Sequence, residues 1–363
     1  MNNRKWKEFD FIEIFDINGG FYNKKPENKE NGTIPFIGAT DSNNGITEFY
    51  SYETIEKSSK TGDNNNTDIS NKLFKGNCIC VTNNGSVGYA YYQPTSFTCS
   101  HDVNPLYLKN YKLNRKLAMF LISAIEKQRV CFEYSRKWRP KRMRKSKILL
   151  PVDENENPDY KYMTDVIVEL TKKDINNYID YCKSELGKIR NEKIEKYESL
   201  TWEEFKISDL FDIVIGKNVD GNKIDKYSGS MPYITRRESY NGLAGFINYN
   251  SIYLNNIYPV ITVGNETAKP FVQVYPFYTG TKVNIMIPKF KSNKYILLFI
   301  CRSLEMHREK YSYSYTINST RLKEQTILLP VNNDGCPDYK YMEQYIKNVM
   351  YKQYNKYLEF LGN

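Results

Sequence analysis

Short apolar stretches, separated by glycine, asparagine and proline, make up much of this chain and are typical of β-strands. Examples are CICVTNN (78–84), AYYQ (90–93), VITVG (260–264) and VNIMI (283–287). Two other segments, 115–129 and 293–310, repeat apolar residues at three- and four-residue spacing, which predicts amphipathic helices. Because strands and helices occur within the same regions, we expect an α+β fold (mixed α/β).

A longer helical pattern follows each series of strands. No proline occurs after Pro158 in the stretch 159–200, and its apolar residues form a coiled-coil-like stripe with one phase break. If it is helical throughout, this segment is about 60 Å long. A second pattern over 338–361 predicts a helix of about 36 Å. Pro158-Asp159 and Pro337-Asp338 suit helix starts, because proline is tolerated in a first turn and an acid complements the helix dipole.

The same order of elements occurs twice. ILLPVDENENPDYKYM (148–163) and ILLPVNNDGCPDYKYM (327–342) share their beginnings and ends. Three earlier blocks also align: WKEFDFIEIFDINGG (6–20) with WEEFKISDLFDIVIG (202–216), IPFIGATDSNNGI (34–46) with MPYITRRESYNGL (231–243), and VTNNGSVGYAYYQ (81–93) with ITVGNETAKPFVQ (261–273). The chain therefore consists of two copies of one sequence repeat. The first copy carries an insertion near 47–75, a polar and asparagine-rich stretch.

This duplication predicts four segments. They are a globular domain over 1–158, a central spacer helix over 159–200, a second globular domain over 201–337 and a C-terminal spacer helix over 338–363. With 363 residues, each copy is long enough to bury a core of its own.

Composition narrows the class of protein. The longest apolar run, YILLFIC (295–301), is too short to span a bilayer, and the first residues lack the apolar core of a signal peptide. The seven cysteines are scattered, odd in number and without a CxxC pair. We therefore expect no membrane association and a reducing, cytoplasmic compartment.

The net charge of +10 is concentrated in one stretch. Residues 129–147 hold nine lysines and arginines and one acid, with Tyr134 and Trp138 between them. This composition is typical of a surface that faces phosphate, although a solvated basic face is an equally open interpretation. The second copy retains Arg321 and Lys323 but not the density of charge, so we expect the first copy to hold a nucleic-acid backbone more tightly.

Motifs for catalysis are missing from the sequence. The two histidines, His101 and His307, do not occupy equivalent positions of the repeat, and a lone histidine is more often structural than catalytic. There is no phosphate-binding loop, dinucleotide fingerprint, zinc-ligand spacing or nucleophile elbow. The Pro-Asp pairs lack the acid-x-lysine of a nuclease site. We therefore expect no catalytic residue and no metal on this chain.

Polar loops at equivalent repeat positions differ in their side chains. Residues 40–44 (TDSNN) align with 236–240 (RRESY), and Asn83, Asn84 and Ser86 align with Val263, Gly264 and Glu266. A shared scaffold with different loop chemistry is expected if each copy reads a different target, because Arg, Asn, Gln and Glu discriminate base edges. Free drift of surface loops is the alternative interpretation.

Taken together, the repeat, the IPFIG/MPYIT blocks, NNGSVGYAYYQ with GNETAKPFVQ, and the ILLPV…PDYKYM endings with their helices resemble the specificity subunit of type I restriction–modification systems. The chain is most similar to the branch that serves type IIB-like enzymes. The resemblance covers nearly the whole chain and rests on the arrangement rather than on a single motif.

The resemblance implies two target recognition domains that read the halves of a bipartite site in double-stranded DNA. It implies that the two long helices pack antiparallel as a spacer and dock methyltransferase subunits. An endonuclease (restriction) subunit is an optional further partner. Catalysis and S-adenosylmethionine would belong to the methyltransferase, with no cofactor on this chain. GNETAKP in the second copy replaces NNGSVGY, so its loop need not bend in the same way.

Basic charge and loop position select the candidate contacts. The candidate DNA-binding residues are Asn43, Asn44, Asn84, Ser86, Arg136, Lys137, Arg139, Lys141, Arg142, Arg144, Arg236, Arg237, Tyr240, Thr267, Arg321 and Lys323. The candidate partner-binding residues on the helices are Met163, Ile167, Leu170, Ile179, Leu186, Tyr345 and Val349. The competing hypotheses are a stand-alone DNA-binding regulator or inhibitor, a carbohydrate-binding surface protein, and a nuclease with an unrecognised site.

Overall fold

A computed structural model describes residues 4–27, 32–63, 68–132, 136–312 and 314–362. The chain divides into two compact units, Met1–Asn177 (unit 1) and Tyr178–Asn363 (unit 2). No helix in the described parts of the chain has both the length and the apolar character needed to cross a membrane.

Unit 1 contains nine strands among its described residues. They are β1 (Trp6–Asp10), β2 (Phe15–Ile17), β3 (Ile34–Ile37), β4 (Ile46–Tyr50), β5 (Cys78–Thr82), β6 (Ala90–Gln93), β7 (Thr98–Cys99), β8 (Val103–Leu108) and β9 (Lys147–Pro151). The helices are α1 (Phe11–Ile14), α2 (Tyr52–Lys57), α3 (Arg115–Glu126), α4 (Pro140–Met143) and α5 (Tyr160–Leu186). Helix α5 begins in unit 1 and ends in unit 2.

Unit 2 repeats this order. Its strands are β10 (Trp202–Lys206), β11 (Phe211–Ile215), β12 (Met231–Ile234), β13 (Leu243–Ile247), β14 (Val260–Gly264), β15 (Pro270–Gln273), β16 (Tyr278–Thr279), β17 (Val283–Pro288) and β18 (Thr326–Pro330). Its helices are α6 (Ile207–Leu210), α7 (Lys294–Glu305), α8 (Ser319–Glu324) and α9 (Tyr339–Phe360).

Strand pairing is the same in both units. A four-stranded antiparallel sheet has the order β2-β8-β5-β6 in unit 1 and β11-β17-β14-β15 in unit 2. A three-stranded sheet has the order β4-β3-β7 or β13-β12-β16, and its last pair is parallel. The tryptophan-containing strand that opens each repeat pairs antiparallel with the ILLP run that closes it, as β1-β9 and β10-β18. The structure thus confirms the duplication and the mixed fold.

The predicted insertion is also confirmed. Helix α2 and a 3-10 turn at Ile69–Asn71 in unit 1 have no helical counterpart among the described residues of unit 2. Lys72 anchors this segment: its buried Nζ donates to the carbonyl oxygens of Glu56 and Ser58, each at 2.6 Å. Burial lowers the pKa of Lys72, which is the expected response of an ammonium group removed from water.

Helices α3 and α7 cover the four-stranded sheets and complete the two cores. Leu117, Leu121 and Ile125 recur at helical spacing and are fully buried, and α7 buries Ile296 and Ile300 in the same way. Asn114 and Asn293 cap the helices by accepting hydrogen bonds from backbone N–H groups of the first turn. These two helices were predicted from the sequence, although their last turns are 3-10 turns.

The central helix is shorter than the pattern predicted. It ends at Leu186, and Gly187, a residue type common just beyond helix ends, follows it. Its 27 residues span about 40 Å instead of about 60 Å. Ile189 continues the apolar spacing of the helix, but it is buried in a non-helical segment. The predicted helix was too long because the spacing indicates burial and not helical conformation.

The C-terminal helix agrees with its prediction, and in unit 2 it packs against the end of α5. Tyr178 and Tyr181 contact Tyr357 and Tyr354, respectively, an order that makes the two helices antiparallel there. Beyond α5, the chain continues along α9, where the buried Asn348 accepts from the backbone N–H of Glu192 (3.0 Å). A hydrogen-bonded extended segment thus replaces the missing part of the predicted helix.

Met163 was predicted to contact a partner, but it is completely buried in the core of unit 1. We expect Met163→Ala to lower the free energy of unfolding by about 2–5 kcal/mol, because it removes buried apolar atoms and leaves a cavity. Urea unfolding measures this loss. Leu170→Ala is the matched control, because Leu170 is 46% exposed and its truncation should cost far less. Wild-type stability of Met163→Ala, combined with lost partner binding, would restore the original assignment.

Candidate nucleic-acid interface

Three loops of unit 1 lie side by side, and we call them the unit 1 loop cluster: residues 38–42 after β3, 83–89 after β5 and 100–102 after β7. The Tyr91 hydroxyl donates to the Thr40 carbonyl oxygen (2.8 Å), and Asn84 Nδ2 donates to Asp102 Oδ1 (3.0 Å). A Cβ on Gly85 would lie 3.4 Å from the Ala39 carbonyl oxygen. Residues far apart in sequence therefore form one polar surface.

The equivalent unit 2 loop cluster comprises residues 235–239, 265–269 and 280–282. Arg236 forms an ion pair with Glu266, and Lys282 Nζ lies 3.4 Å from Glu266 Oε1. A Cβ on Gly264 would lie 2.9 Å from Arg236 Cα, so glycine permits this close approach of the two backbones. The two units thus place three equivalent loops together.

The hydrogen bonds correct the sequence alignment of one loop. Asn83 Nδ2 donates to Asn104 Oδ1, and the same two positions are joined in unit 2 with the direction reversed, because Asn265 accepts from Asn284 Nδ2 (2.8 Å). The backbone N–H of Asn83 donates to the Asp102 carbonyl, as that of Asn265 does to Lys282. Asn83 therefore corresponds to Asn265 rather than to Val263, and Asn84 corresponds to Glu266 rather than to Gly264. The unit 1 loop is longer because it has seven residues (83–89) against five (265–269).

Two asparagines, Asn43 and Asn44, form a tight turn directly after the first loop. Asn43 and Asn44 are exposed and left-handed, with φ of 50° and 53°. Asn44 Nδ2 donates to the Tyr92 carbonyl (3.1 Å), while the Asn44 carbonyl accepts from Gln93 Nε2 (3.0 Å). Asn241 has the same conformation in unit 2, and its Nδ2 donates to the Val272 carbonyl (3.0 Å). Asn44 therefore corresponds to Asn241, so the predicted alignment of 40–44 with 236–240 was wrong by one residue. The Asn44 amide thus has a structural role, and its role as a DNA contact stays a prediction.

Asn84 and Ser86 lie half-buried in the second loop. Besides its bond to Asp102, Asn84 has a buried Oδ1 without a hydrogen-bond partner among the described residues. His101 Nε2 lies 3.2 Å from the same Asp102 carboxylate. The Ser86 carbonyl accepts from Thr82 Oγ1, which closes the loop. Asn84 and Asp102 therefore occupy the two positions where unit 2 has Glu266 and Lys282, respectively.

Part of the basic stretch of unit 1 forms a short helix, α4. Four of its cations are exposed and have no carboxylate partner among the described residues: Arg139, Lys141, Arg142 and Arg144. Arg142 and Arg144 donate to the carbonyl oxygens of Lys137 (2.8 Å) and Ile17 (3.2 Å). Arg136 is exposed and Lys137 half-buried. The four cations without a carboxylate partner suit contacts with a nucleic-acid backbone, which stay a prediction.

Trp138 corrects the expectation of an aromatic residue on that surface. Its side chain is fully buried, stacks on Phe132 with ring centroids 4.7 Å apart, and donates from Nε1 to Ser146 Oγ (2.9 Å). Its backbone N–H donates to the Asn83 carbonyl (3.1 Å), so it fastens the basic stretch to the loop cluster. Tyr134 lies outside the described residues.

The candidate residues of unit 2 divide into paired and exposed groups. Arg236 is paired with Glu266, whereas Arg237 is exposed and lies 5.7 Å from the ring centre of Tyr240, which is itself 77% exposed. Thr267 Oγ1 is buried without a partner among the described residues. Arg321 is half-buried, 4.0 Å from the Tyr315 ring centre, and Lys323 is exposed. Unlike the basic stretch of unit 1, this surface carries carboxylates beside its arginines.

Glu266 is the ionic centre of the unit 2 loop cluster. Its burial would raise the pKa of the carboxyl, yet the Arg236 guanidinium and Lys282 outweigh this and lower it. The carboxyl therefore stays ionised, and its Oε2 atom is buried without a partner among the described residues. A half-buried carboxylate held in this way restricts the guanidinium that it contacts.

Two equivalent arginines were missed in the sequence. Arg129 and Arg308 follow helices α3 and α7 in the blocks IEKQR (125–129) and LEMHR (304–308), so a longer repeat alignment would have found them. Arg129 lies 3.5 Å from the ring centre of Tyr89. Arg308 donates from Nε to the Thr267 carbonyl (2.8 Å) and pairs with Glu238. Both arginines brace the second loop of their cluster.

The remaining partner-binding candidates differ in exposure. Leu170 and Val349 are exposed, Ile167 and Leu186 are half-buried, and Ile179 is buried. Tyr345 packs against Phe299 and Tyr341 beside the core of unit 2. Leu170 and Val349 therefore present the most accessible apolar surface of this set, and their role in partner binding stays a prediction.

The role of Asn44 in the turn can be separated into two parts. We expect Asn44→Gly to lower the free energy of unfolding by about 1 kcal/mol. The substitution removes the hydrogen bond of the Asn44 side-chain amide, whereas glycine adopts the left-handed conformation without strain. Asn44→Ala should cost a further 1–2 kcal/mol or so, because alanine is strained there. Urea unfolding of both variants measures the difference. Equal stability of wild type and Asn44→Ala would mean that the turn does not depend on this side chain.

Comparison with known proteins identifies the family. The family model described as the type I restriction modification DNA specificity domain matches residues 3–181 and 199–359. A curated relative, the specificity subunit S.BcgI of a type II restriction enzyme from Heyndrickxia coagulans, is 51% identical over 148 residues. That match covers 40% of this chain and spans 43% of the relative's length.

Solved structures give weaker likenesses. The S subunit of a type I restriction–modification system from M. genitalium is 16% identical, with a TM-score of 0.48 over 100% of this chain and 93% of that one. The HsdS subunit from Thermoanaerobacter tengcongensis is 11% identical, with a TM-score of 0.32 over 98% and 91% of the two chains. The family model spans most of the sequence in two copies, one for each unit. The chain belongs to the family of type I restriction modification DNA specificity domains.

Proposed function

We propose that this chain is the DNA-specificity subunit of a restriction–modification complex. Unit 1 and unit 2 each read one half of a bipartite site in double-stranded DNA, and the chain directs a methyltransferase subunit to that site. The observation that supports this proposal is the pair of equivalent loop clusters, which share one framework but carry different side chains. Family membership supports it as well.

Two kinds of surface suit different parts of DNA binding. Arg139, Lys141 and Arg142 are exposed, carry no carboxylate partner among the described residues, and suit phosphate contacts that set the register. Loop residues with amide, guanidinium or carboxylate groups suit contacts with base edges. Lys137, Arg321 and Lys323 extend the basic surface of their units.

The remaining parts of the proposal concern other molecules. Leu170 and Val349 on the helices are available for docking methyltransferase subunits. S-adenosylmethionine binds to the methyltransferase, where the chemistry takes place, and the complex works in the cytoplasm. An endonuclease subunit is an optional addition. No observation favours the alternative of a stand-alone regulator or inhibitor.

Long-read sequencing that detects methylated bases tests this function. We expect a host that expresses the methyltransferase together with this chain to methylate a bipartite motif, and a host with the methyltransferase alone to leave that motif unmodified. An unsplit motif would contradict two readers. Tight, specific DNA binding by the chain with no effect on methylation would favour the stand-alone alternative.

The length of α5 provides a second test. We expect four helix-forming residues inserted after Lys173, an exposed position, to lengthen the helix by about 6 Å and to change the gap between half-sites by about two base pairs. The same sequencing experiment reads the gap. Replacing Lys172 and Lys173 by glutamine, without a change of length, is the matched control. An unchanged gap after the insertion would show that α5 does not set the spacing.

A further inference from the structure

Arg236 and Glu266 form a pair whose geometry fits one particular base. Arg236 is 38% exposed through its side chain, and Glu266 beneath it is 14% exposed. Glu266 contacts the Nη1 atom of the guanidinium, so the carboxylate holds one corner of the group. No other ion-pair partner of Arg236 is found in the parts of the chain that the structure describes. The opposite edge, formed by Nε and Nη2, therefore remains available.

The Nε–Nη2 edge presents two parallel N–H donors. Guanine has two adjacent acceptors, O6 and N7, on its major-groove edge, and a bidentate arginine is the side chain that matches them best. Adenine offers one acceptor and one donor at that edge, so it would oppose one of the two N–H groups. An arginine already held by a carboxylate loses less conformational entropy on binding than a free one.

The charges around the pair argue against a phosphate as its ligand. Glu266 forms an ion pair with Arg236, so this guanidinium offers a phosphate less uncompensated charge than an unpaired arginine does. Recognition of a base edge depends instead on the direction of the N–H donors, which the ion pair restricts. The exposed cations of unit 1, among them Arg139 and Lys141, have no carboxylate partner among the described residues.

Unit 1 carries different chemistry at the equivalent position. Asn84 and Asp102 lie where unit 2 has Glu266 and Lys282, and Ala39 occupies the position of Arg236 in the aligned blocks. Unit 1 therefore lacks a guanidinium at this point of its loop cluster. The difference confines the expected guanine contact to one half-site.

We propose that Arg236 reads a guanine in the half-site of unit 2, and that Glu266 is the positioning residue that aims its guanidinium. This proposal rests on the proposed function, because it presumes that unit 2 reads DNA. It adds to the proposed function that the base is guanine, that the Nε–Nη2 edge of Arg236 contacts it, and that Glu266 orients this contact.

The test uses the complete complex of this chain with its methyltransferase and synthetic duplexes. Each base pair of the wild-type motif is changed in turn, and the methylation rate is measured for wild type, Arg236→Lys and Glu266→Gln. Lysine keeps the charge but lacks the two-pronged donor edge. We expect Arg236→Lys to reduce discrimination at one G·C pair of one half-site by about tenfold to a hundredfold, and to leave the other half-site unchanged.

Glu266→Gln keeps the shape of the side chain but removes its charge. We expect a smaller loss at the same G·C pair, with an unchanged melting temperature of the complex. Arg302→Lys is the matched control, because Arg302 is an exposed arginine on α7 outside the loop cluster. It should leave the discrimination at every position as in the wild type.

Several results would overturn the inference. An equal loss on all duplexes would make Arg236 a phosphate contact, and a loss confined to an A·T pair would make the base assignment wrong. Unchanged discrimination in Arg236→Lys would mean that it reads no base. A lower melting temperature of Glu266→Gln without a change at the G·C pair would reduce Glu266 to a scaffold residue. If the wild-type complex methylates no motif that depends on this chain, the proposed function itself fails.

Discussion

A hydrogen-bonded pair of asparagines holds the loop cluster of each unit, and the candidate site depends on it; Asn83, Asn104 and Asn284 are buried, and Asn265 is half-buried. Asn83 with Asn104, and Asn265 with Asn284, join the end of one central strand to its neighbour through side-chain amides. Buried amides are costly without partners, so these bonds allow little displacement of the loop that follows. The residue immediately after each anchor is Asn84 or Glu266. A fixed anchor followed by a variable position is a framework on which side-chain chemistry can change while the backbone stays in place.

The two units use this framework with different electrostatics. In unit 1, Arg139, Lys141, Arg142 and Arg144 lack carboxylate partners among the described residues, and the buried Trp138 connects that stretch to the loop anchor. In unit 2, Arg236 and Arg308 are each paired with a glutamate. Unpaired cations supply affinity for a phosphate backbone without regard to sequence, whereas oriented pairs discriminate between bases. This contrast supports the expectation that unit 1 holds the phosphate backbone more tightly than unit 2, while each unit reads its own half-site.

The outer ends of each repeat are joined by a second shared device. Strand β1 pairs with β9, and β10 pairs with β18, so the start and the end of each globular segment meet directly before a long helix. This explains why the ILLPV…PDYKYM sequence occurs twice: its first part closes a two-stranded sheet and its last part begins the helix. Met163 and Tyr341, in those first turns, belong to the two cores, which fastens each helix to its unit.

The sequence by itself determined the duplication, the insertion near 47–75, the mixed fold, the helices α3, α7 and α9, and the family resemblance. These features follow from local periodicity and from comparing one half of the chain with the other, both of which are independent of long-range contacts. The tertiary structure alone decided that α5 ends at Leu186, that Trp138 and Met163 are buried, and that Asn84 corresponds to Glu266. Apolar spacing reports burial but not conformation, so the extended segment at Ile189 imitated a helix. The second loop is two residues longer in unit 1 than in unit 2, and the sequence does not show where the extra residues lie. Hydrogen bonds such as that between Asn83 and Asn104 identify the equivalent positions.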